Sequence, residues 1–265
     1  SAETLTNTHV PRLSHAIALV TGAGRGLGHA VVRRFATEGA TIVAVARTSS
    51  ELADLVGSMG DAGVSGTIET IQADLGRADE VARVAATVLE QHGRLDVLVN
   101  CAAILRMTAF LEMPADDFDE TIAVNLLAPV RLTRAFLPGM THQGSGTIIN
   151  VTSRAGIEEF TLETDYCAAK FGLEGFTRSL ALEIEGSGVA SCLITPGRSI
   201  KPTSVTTAEW ETWPEERRAA YTDPMLLTDA FVSLALADPA TISGKRFSAW
   251  DLRELRDRIE ERNIL

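Results

Sequence analysis

The stretch Ala16-Ile-Ala-Leu-Val-Thr-Gly-Ala-Gly-Arg-Gly-Leu-Gly28 decides the fold of this chain. Ala16–Thr21 is apolar on both faces, as a fully buried strand must be. It runs straight into a glycine-rich turn. From Gly26 to Glu38 the pattern is helical, with Val31, Val32 and Phe35 on one face and Gly39 as the stop. Glycines let a backbone approach a pyrophosphate, and the N-terminus of the following helix favours its charge. Leu27 stands where the third glycine of Gly-x-Gly-x-x-Gly would fall. The pattern is instead Thr-Gly-x-x-x-Gly-x-Gly, carried by Gly22, Gly26 and Gly28. A tight strand–helix turn without a ligand is the alternative reading.

Beyond this unit, strand-length apolar runs alternate with longer amphipathic stretches. Thr41–Ala46, Thr67–Ala73, Asp96–Asn100, Thr147–Thr152 and Ser191–Thr195 read as strands, and Lys245–Ala249 as a seventh. Ala78–His92 and Thr164–Glu185 read as helices, and Ala115–His142 as one long helix or two shorter ones. Pro129 is tolerated there at a helix start. Thr48-x-x-Glu51 has the form of a capping box. Strands apolar on both faces, alternating with helices, predict an α/β fold: a single-domain, Rossmann-like, doubly wound parallel sheet of about seven strands with helices on both faces.

Composition narrows the function. The chain has 265 residues, 45% of them hydrophobic, and a net charge of -11. It carries no basic stripe, which excludes nucleic acid as a partner. No apolar run is long enough to cross a bilayer, and residues 1–13 lack a signal-peptide segment and read as a flexible arm. Cys101, Cys167 and Cys192 are few, odd in number and far apart, so they read as reduced, buried thiols of a cytoplasmic protein. The five histidines are scattered, and no metal-ligand spacing occurs.

Tyr166-Cys-Ala-Ala-Lys170 places a phenol and an ammonium on one helix face. A nearby cation favours the phenolate and so predicts a lowered tyrosine pKa, suited to proton exchange with an alcohol or carbonyl. Ser153 closes the fifth strand and Asn125 lies in the helix between. With the glycine turn, Asp74, Asn100 and Pro196-Gly197, these residues stand in the order typical of the short-chain dehydrogenase/reductase family. The chain resembles that family from about Ala16 to Gly197.

The resemblance implies that Asn125, Ser153, Tyr166 and Lys170 form a catalytic tetrad. Tyr166 would be the acid/base. Lys170 would lower its pKa and bond the nicotinamide ribose, Ser153 would stabilise the substrate oxygen, and Asn125 would hold a relay water. Cofactor contacts would come from Gly22, Arg25, Gly26, Leu27, Gly28, Arg47, Thr48, Asp74, Leu75, Asn100, Ala102, Tyr166, Lys170, Pro196, Gly197 and Ser199. An acidic residue at the end of strand two would select NAD. Ala46 stands there, followed by Arg47, with Arg25 in the glycine turn. Two guanidinium groups suit a 2′-phosphate, so NADP(H) is expected over NAD(H).

The expected activity is NADP(H)-dependent interconversion of a small-molecule carbonyl and an alcohol. An epimerase or dehydratase on the same scaffold, or a non-catalytic NADP(H)-binding regulator, are the alternatives. A homo-dimer or homo-tetramer is expected by resemblance.

Three regions depart from the family. Ala103 replaces a glycine after strand four. Lys201 stands where a threonine is usual after Pro-Gly, with Ser199, Lys201 and Thr203 as possible substitutes for it. The terminal Asp-Gly-Gly gives way to Ser243-Gly-Lys-Arg-Phe-Ser-Ala-Trp250 and a charged helix over Asp251–Arg262. Arg198–Pro224, with Trp210 and Trp213, reads as a substrate lid, with a surface excursion as its alternative. Glu158, Glu159, Glu163 and Asp165 read as either a cation-selecting cluster or a solvated rim.

Overall fold

A computed structural model describes residues 10–60, 64–202, 205 and 207–254. Its centre is a seven-stranded, all-parallel sheet in the order β3-β2-β1-β4-β5-β6-β7. The strands are β1 (Ile17–Thr21), β2 (Thr41–Ala46), β3 (Thr67–Gln72), β4 (Val97–Asn100), β5 (Gly146–Val151), β6 (Val189–Thr195) and β7 (Arg246–Ser248). The order reverses between β1 and β4, which opens a crevice at the C-terminal ends of the strands.

Two cores cover the sheet. One face packs against α1 (Gly26–Thr37), α2 (Ser49–Gly57) and α9 (Thr228–Leu236), through Phe35, Leu55 and Phe231. The other packs against α3 (Ala78–His92), α5 (Ala128–Gln143) and α6 (Thr164–Glu183), through Val88, Phe136 and Leu180. The central strands β2, β4, β5 and β6 are buried almost end to end, as read from the sequence. The edge strands β3 and β7 are not, because each is paired on one side only.

Between Ala115 and Gln143 the chain is one continuous rod: α4 (Ala115–Ile122), a π-helical turn over Ala123–Leu127, then α5. Pro129 falls in the first turn of α5, where its missing N–H costs nothing. Thr48 is the N-cap residue of α2, but its hydroxyl makes no cap bond. The capping box does not form because Glu51 turns toward Arg25, 3.7 Å away.

The expected arm is anchored at its inner end. Leu13 is buried, and Arg12 donates through Nε (3.1 Å) and Nη2 (2.7 Å) to Glu38, a fully buried carboxylate at the end of α1. A buried charge demands a cation, and Arg12 and Arg34 supply it.

After β6 come α7 (Thr207–Thr212), α8 (Glu215–Ala219), a 3₁₀ turn over Pro224–Leu227, α9 and α10 (Pro239–Ile242). Trp210, Trp213 and Tyr221 form one aromatic cluster with centroids 5.2–5.8 Å apart, capped by Arg217 at 3.4 Å from the Trp213 ring. The two tryptophans therefore pack on each other. The charged terminal helix begins at Ala249; its described part ends at Glu254, and Thr203 also lies outside the described residues.

Candidate active site

The C-terminal edge of the sheet gathers nearly every residue singled out above. Gly22 has φ +68 and lies against Ala102: a Cβ there would sit 2.8 Å from the Ala102 Cα. A Cβ on Gly28 would meet the Gly22 carbonyl at 2.3 Å. The turn is thus closed to any side chain at either position. Thr21 Oγ1 accepts from Cys101 N (3.0 Å) and Ala102 N (3.1 Å), tying the ends of β1 and β4. Its place in the glycine motif was legible, but this bracing role was not.

The first turn of α1 carries no acidic residue, and its N-cap, Arg25, makes no side-chain cap bond. Its free N–H groups therefore fit the phosphates of a dinucleotide. At the end of β4, the buried Asn100 donates Nδ2 to Asn150 Oδ1 (2.8 Å), while its own carbonyl oxygen has no partner. Asp74, after β3, folds its Oδ1 back onto Gly76 N at 3.0 Å, with Leu75 buried beside it.

Both arginines proposed for the phosphate have carboxylate neighbours. Arg25 faces Glu51, and Arg47 Nη1 lies 3.3 Å from Glu120, which Arg106 also holds. Arg25, His29 and Arg33 of α1 line a cavity of about 280 Å³, with Lys201 on the opposite wall. Lys201, at the position where the family usually carries a threonine, thus shares this cavity with the start of α1.

The residues expected to be catalytic lie beyond β5. Tyr166 and Lys170 share one face of α6, with the ammonium 5.5 Å from the phenol ring centroid. Lys170 Nζ donates to Val151 O at 2.8 Å and is almost fully buried. The Ser153 hydroxyl accepts from Ala155 N (3.2 Å) and lies near enough to the Tyr166 phenol to lower its pKa. Asn125 sits in the π turn, which rotates it toward the loop after β4. There its Oδ1 accepts from Ile104 N and its Nδ2 donates to Ile104 O, both at 2.7 Å. One N–H and one lone pair remain for a water.

The electrostatics differ from the sequence expectation. Burial pushes Tyr166 up to about 12, and the Ser153 hydroxyl only partly opposes it. Burial pushes Lys170 down to about 8, against the charge of Glu174. In the cofactor-free protein, desolvation therefore dominates the phenol, and it also takes Lys170 toward its neutral form before the phenol titrates.

A solution prediction follows. Between pH 8 and 10.5 the unfolded chain holds a proton on this lysine that the folded chain has lost, so stability rises with pH. Burial also holds Cys101 and Cys192 near 12 against an ordinary value of 9.0. There the folded state keeps the proton, so stability falls above pH 9, with Tyr166 adding to the fall above 10. Urea unfolding of the cofactor-free protein is expected to show its greatest alkaline stability near pH 9. Each proton contributes at most about 1.4 kcal/mol per pH unit. A monotonic decline from pH 8 would contradict a neutral buried Lys170.

The carboxylates before Tyr166 do not converge. Glu158 pairs with Arg154 at 2.5 Å, and Asp165 is buried, accepting from Thr121 Oγ1 (2.6 Å) and Tyr166 N (2.8 Å). Glu159 is exposed, while burial raises the pKa of Glu163. Around them Leu105, Met107, Phe110, Ile157 and Leu162 are exposed. The loops after β4 and β5 meet where Thr108 N donates to Leu162 O at 3.0 Å.

Cys192 is buried as expected; Cys101 is half-buried with its side chain packed against the core, and Cys167 is half-buried beside the site. Among the described residues, no helix is long and apolar enough to cross a membrane.

A parallel sheet with a glycine turn after β1, and Ser153, Tyr166 and Lys170 beyond β5, has the form of a doubly wound dinucleotide-binding fold. The chain belongs to the short-chain dehydrogenase/reductase family: the family model for short chain dehydrogenase matches residues 16–213. It is an oxidoreductase acting on the CH–OH/C=O pair.

It is 39% identical over 190 residues to the short-chain reductase protein NovJ of Streptomyces niveus, covering 72% of this chain and 71% of that one. It is 34% identical over 186 residues to the 3-oxoacyl-[acyl-carrier-protein] reductase FabG of Thermotoga maritima, covering 70% and 75%. A metagenomic short-chain oxidoreductase solved in complex with NADP superimposes with a TM-score of 0.75 at 33% identity, over 89% of this chain and 98% of that one.

Proposed function

We propose that this protein is an NADP(H)-dependent carbonyl reductase in which Tyr166 is the proton donor. The observation that carries the reading is the convergence of Ser153, Tyr166 and Lys170 at the end of β5. When bound, the nicotinamide supplies the hydride. The chain supplies the rest. Ser153 holds the substrate oxygen and stabilises its developing negative charge. Tyr166 delivers a proton from its hydroxyl to that oxygen. Lys170, held by the Val151 carbonyl, fixes the approach of the ribose and lowers the cost of the phenolate once protonated. Asn125 braces the loop after β4 and keeps two hydrogen-bonding positions for a relay water.

Gly22, Gly26, Leu27 and Gly28 would cradle the phosphates. Asp74, Leu75, Asn100 and Ala102 would hold the adenosine, with Thr48 beside Arg47, and Pro196, Gly197 and Ser199 would run along the nicotinamide. Residues 198–224 are proposed as the lid. The apolar rim of Leu105, Met107, Ile157 and Leu162 supports a substrate with an apolar part. Leu127, Phe171 and Leu182 are exposed on the long helices, which supports assembly through them into a dimer or tetramer; light scattering tests this.

Cofactor choice rests on Arg25 and Arg47, with Ala46 in place of an acid. Each must exchange a carboxylate for the phosphate, and Arg106 keeps Glu120 compensated when Arg47 leaves it. Arg47→Ala is expected to weaken NADPH binding about tenfold, the worth of one charge-assisted hydrogen bond. NADH should change less than about twofold. Fluorescence titration with both cofactors measures this, and equal losses would remove the clamp. Activity itself is tested by NADPH oxidation over a panel of ketones and aldehydes. Tight binding with no turnover on any carbonyl would favour a regulator.

A further inference from the structure

Tyr166, Lys170, Glu174 and Arg178 recur every fourth residue on α6, so the row that carries the reactive pair continues for two more turns. Glu174 is buried, and its carboxylate is fully engaged. Its Oε1 accepts from Thr152 Oγ1 (2.8 Å) and from Arg246 Nε (2.9 Å), and its Oε2 accepts from Arg178 Nη2 (3.0 Å). Arg246 then reaches past it. Its Nη2 donates to the main-chain oxygen of Ser153 at 3.0 Å.

The Ser153 segment is held at each step. Lys170 takes the Val151 carbonyl, Thr152 N bonds Ile194 O at 2.8 Å, and Arg246 takes the Ser153 carbonyl. The turn after Ser153 is pressed onto the same carboxylate, since a Cβ on Gly156 would lie 2.9 Å from Glu174 Cγ. Arg246 stands on β7, in the segment Ser243–Trp250 where this chain departs from its family. The far end of that segment bears on the other half of the site: Trp250 N donates to Pro196 O at 3.2 Å, and Gly197 has room for no side chain against Ser248.

We propose that Arg246, acting through Glu174, is a positioning residue that sets the distance of Ser153 from Tyr166. The guanidinium is a rigid planar fork with donors on two edges. Its Nε is fixed to the helix that carries Tyr166 and its Nη2 to the backbone that carries Ser153. The fork therefore works as a spacer between the proton donor and the oxygen stabiliser. The proposal rests on the catalytic reading of Ser153 and Tyr166 given above.

The test compares Arg246→Met, Arg246→Lys and Glu174→Gln with the wild type, after thermal melts show which variants are folded at the assay temperature. NADPH dissociation constants come from fluorescence, and kcat and KM from the panel carbonyl that wild type reduces fastest. Arg246→Met is expected to lower kcat by about 10–100-fold, the cost of a misplacement near 1 Å. NADPH affinity should stay within about twofold, because no cofactor contact is touched, and the displaced Ser153 should show in kcat more than in KM, since its bond to the substrate oxygen strengthens in the transition state. Arg246→Lys should recover part of the loss, since it keeps the charge but loses the fork. Crystal structures of wild type and Arg246→Met with NADP⁺ should show Ser153 displaced from the Tyr166 hydroxyl in the variant.

A folded Arg246→Met with wild-type kcat, or with Ser153 superimposing on wild type, overturns the proposal. If kcat falls only as far as cofactor affinity falls, it is overturned as well. Should Tyr166→Phe retain full activity, the catalytic reading fails instead, whatever Arg246 does. With no turnover on any carbonyl, the two crystal structures decide.

Discussion

Tyr166→Phe is expected to lower kcat by about a thousandfold, within the range that a positioned general acid contributes. NADPH affinity should stay within about twofold, because the substitution removes one oxygen and leaves the ring between Lys170 and Ser153. The phenol has no substitute nearby. The Ser153 hydroxyl is a far weaker acid than a phenol, and the Lys170 ammonium, its pKa lowered by burial, is held on the Val151 carbonyl. Stopped-flow measurement of NADPH oxidation under single-turnover conditions separates this step from product release. Activity within tenfold of wild type would end the proton-transfer role. The raised Tyr166 value also makes a directional statement. In the cofactor-free protein the phenol stays protonated and neutral across the physiological range, the state that a proton donor requires.

Glu38→Ala is expected to carry the largest stability loss, about 3 kcal/mol, at the low end of the range for breaking a buried ion pair. The lower end applies because Arg12 and Arg34 are partly solvated and keep Asp229. For a chain of this size the loss lowers Tm by roughly 6–12 °C, measured by circular dichroism. Burial alone would raise the Glu38 pKa, but the hydrogen bonds and charges of Arg12, with Arg34, bring it below the ordinary value. Its stabilisation is therefore present above the unfolded carboxylate pKa and is lost as pH falls through the folded one. The variant should accordingly lose less stability than wild type below about pH 4.5. A change under about 1 kcal/mol would mean that residues 10–13 do not hold this carboxylate in solution.

The strands were readable because a parallel sheet buried on both faces leaves only apolar residues to choose from. Their ends moved by one or two positions, since hydrogen-bonding partners rather than composition end a strand. The edge strands β3 and β7 broke the apolar rule for lack of a second neighbour. The glycine turn was readable because Gly22 and Gly28 tolerate no Cβ. The π turn was not, although Asn125 was singled out. Nothing in Ala123–Leu127 announces one extra residue in the turn, and only the loop after β4 gives Asn125 its partner.

Charge was the least legible property. Thr48 and Glu51 had the spacing of a capping box, yet Glu51 lies on Arg25 because the glycine turn brings that arginine within reach. Arg47 and Glu120 stand far apart in the chain and meet only across the crevice. The carboxylates before Tyr166 read in sequence as either a cluster or a rim, and a 3₁₀ turn over Arg154–Gly156 with the start of α6 sends them in different directions. Glu174 lay in plain view, two turns along from Tyr166 on the same helical row. Its partner Arg246 gave no local sign of its role.

By itself, then, the sequence determined what local patterning and steric necessity encode: the parallel sheet, the phosphate-ready turn, and the pairing of Tyr166 with Lys170 on one helix. Only the tertiary structure decided the electrostatic state of that pair and the hold on Ser153. A pKa is set by burial summed over neighbours from β5, α6 and the loop after β4. The grip on Ser153 comes from a strand ninety-three positions away in the chain. Neither quantity is a property of any stretch of residues taken alone.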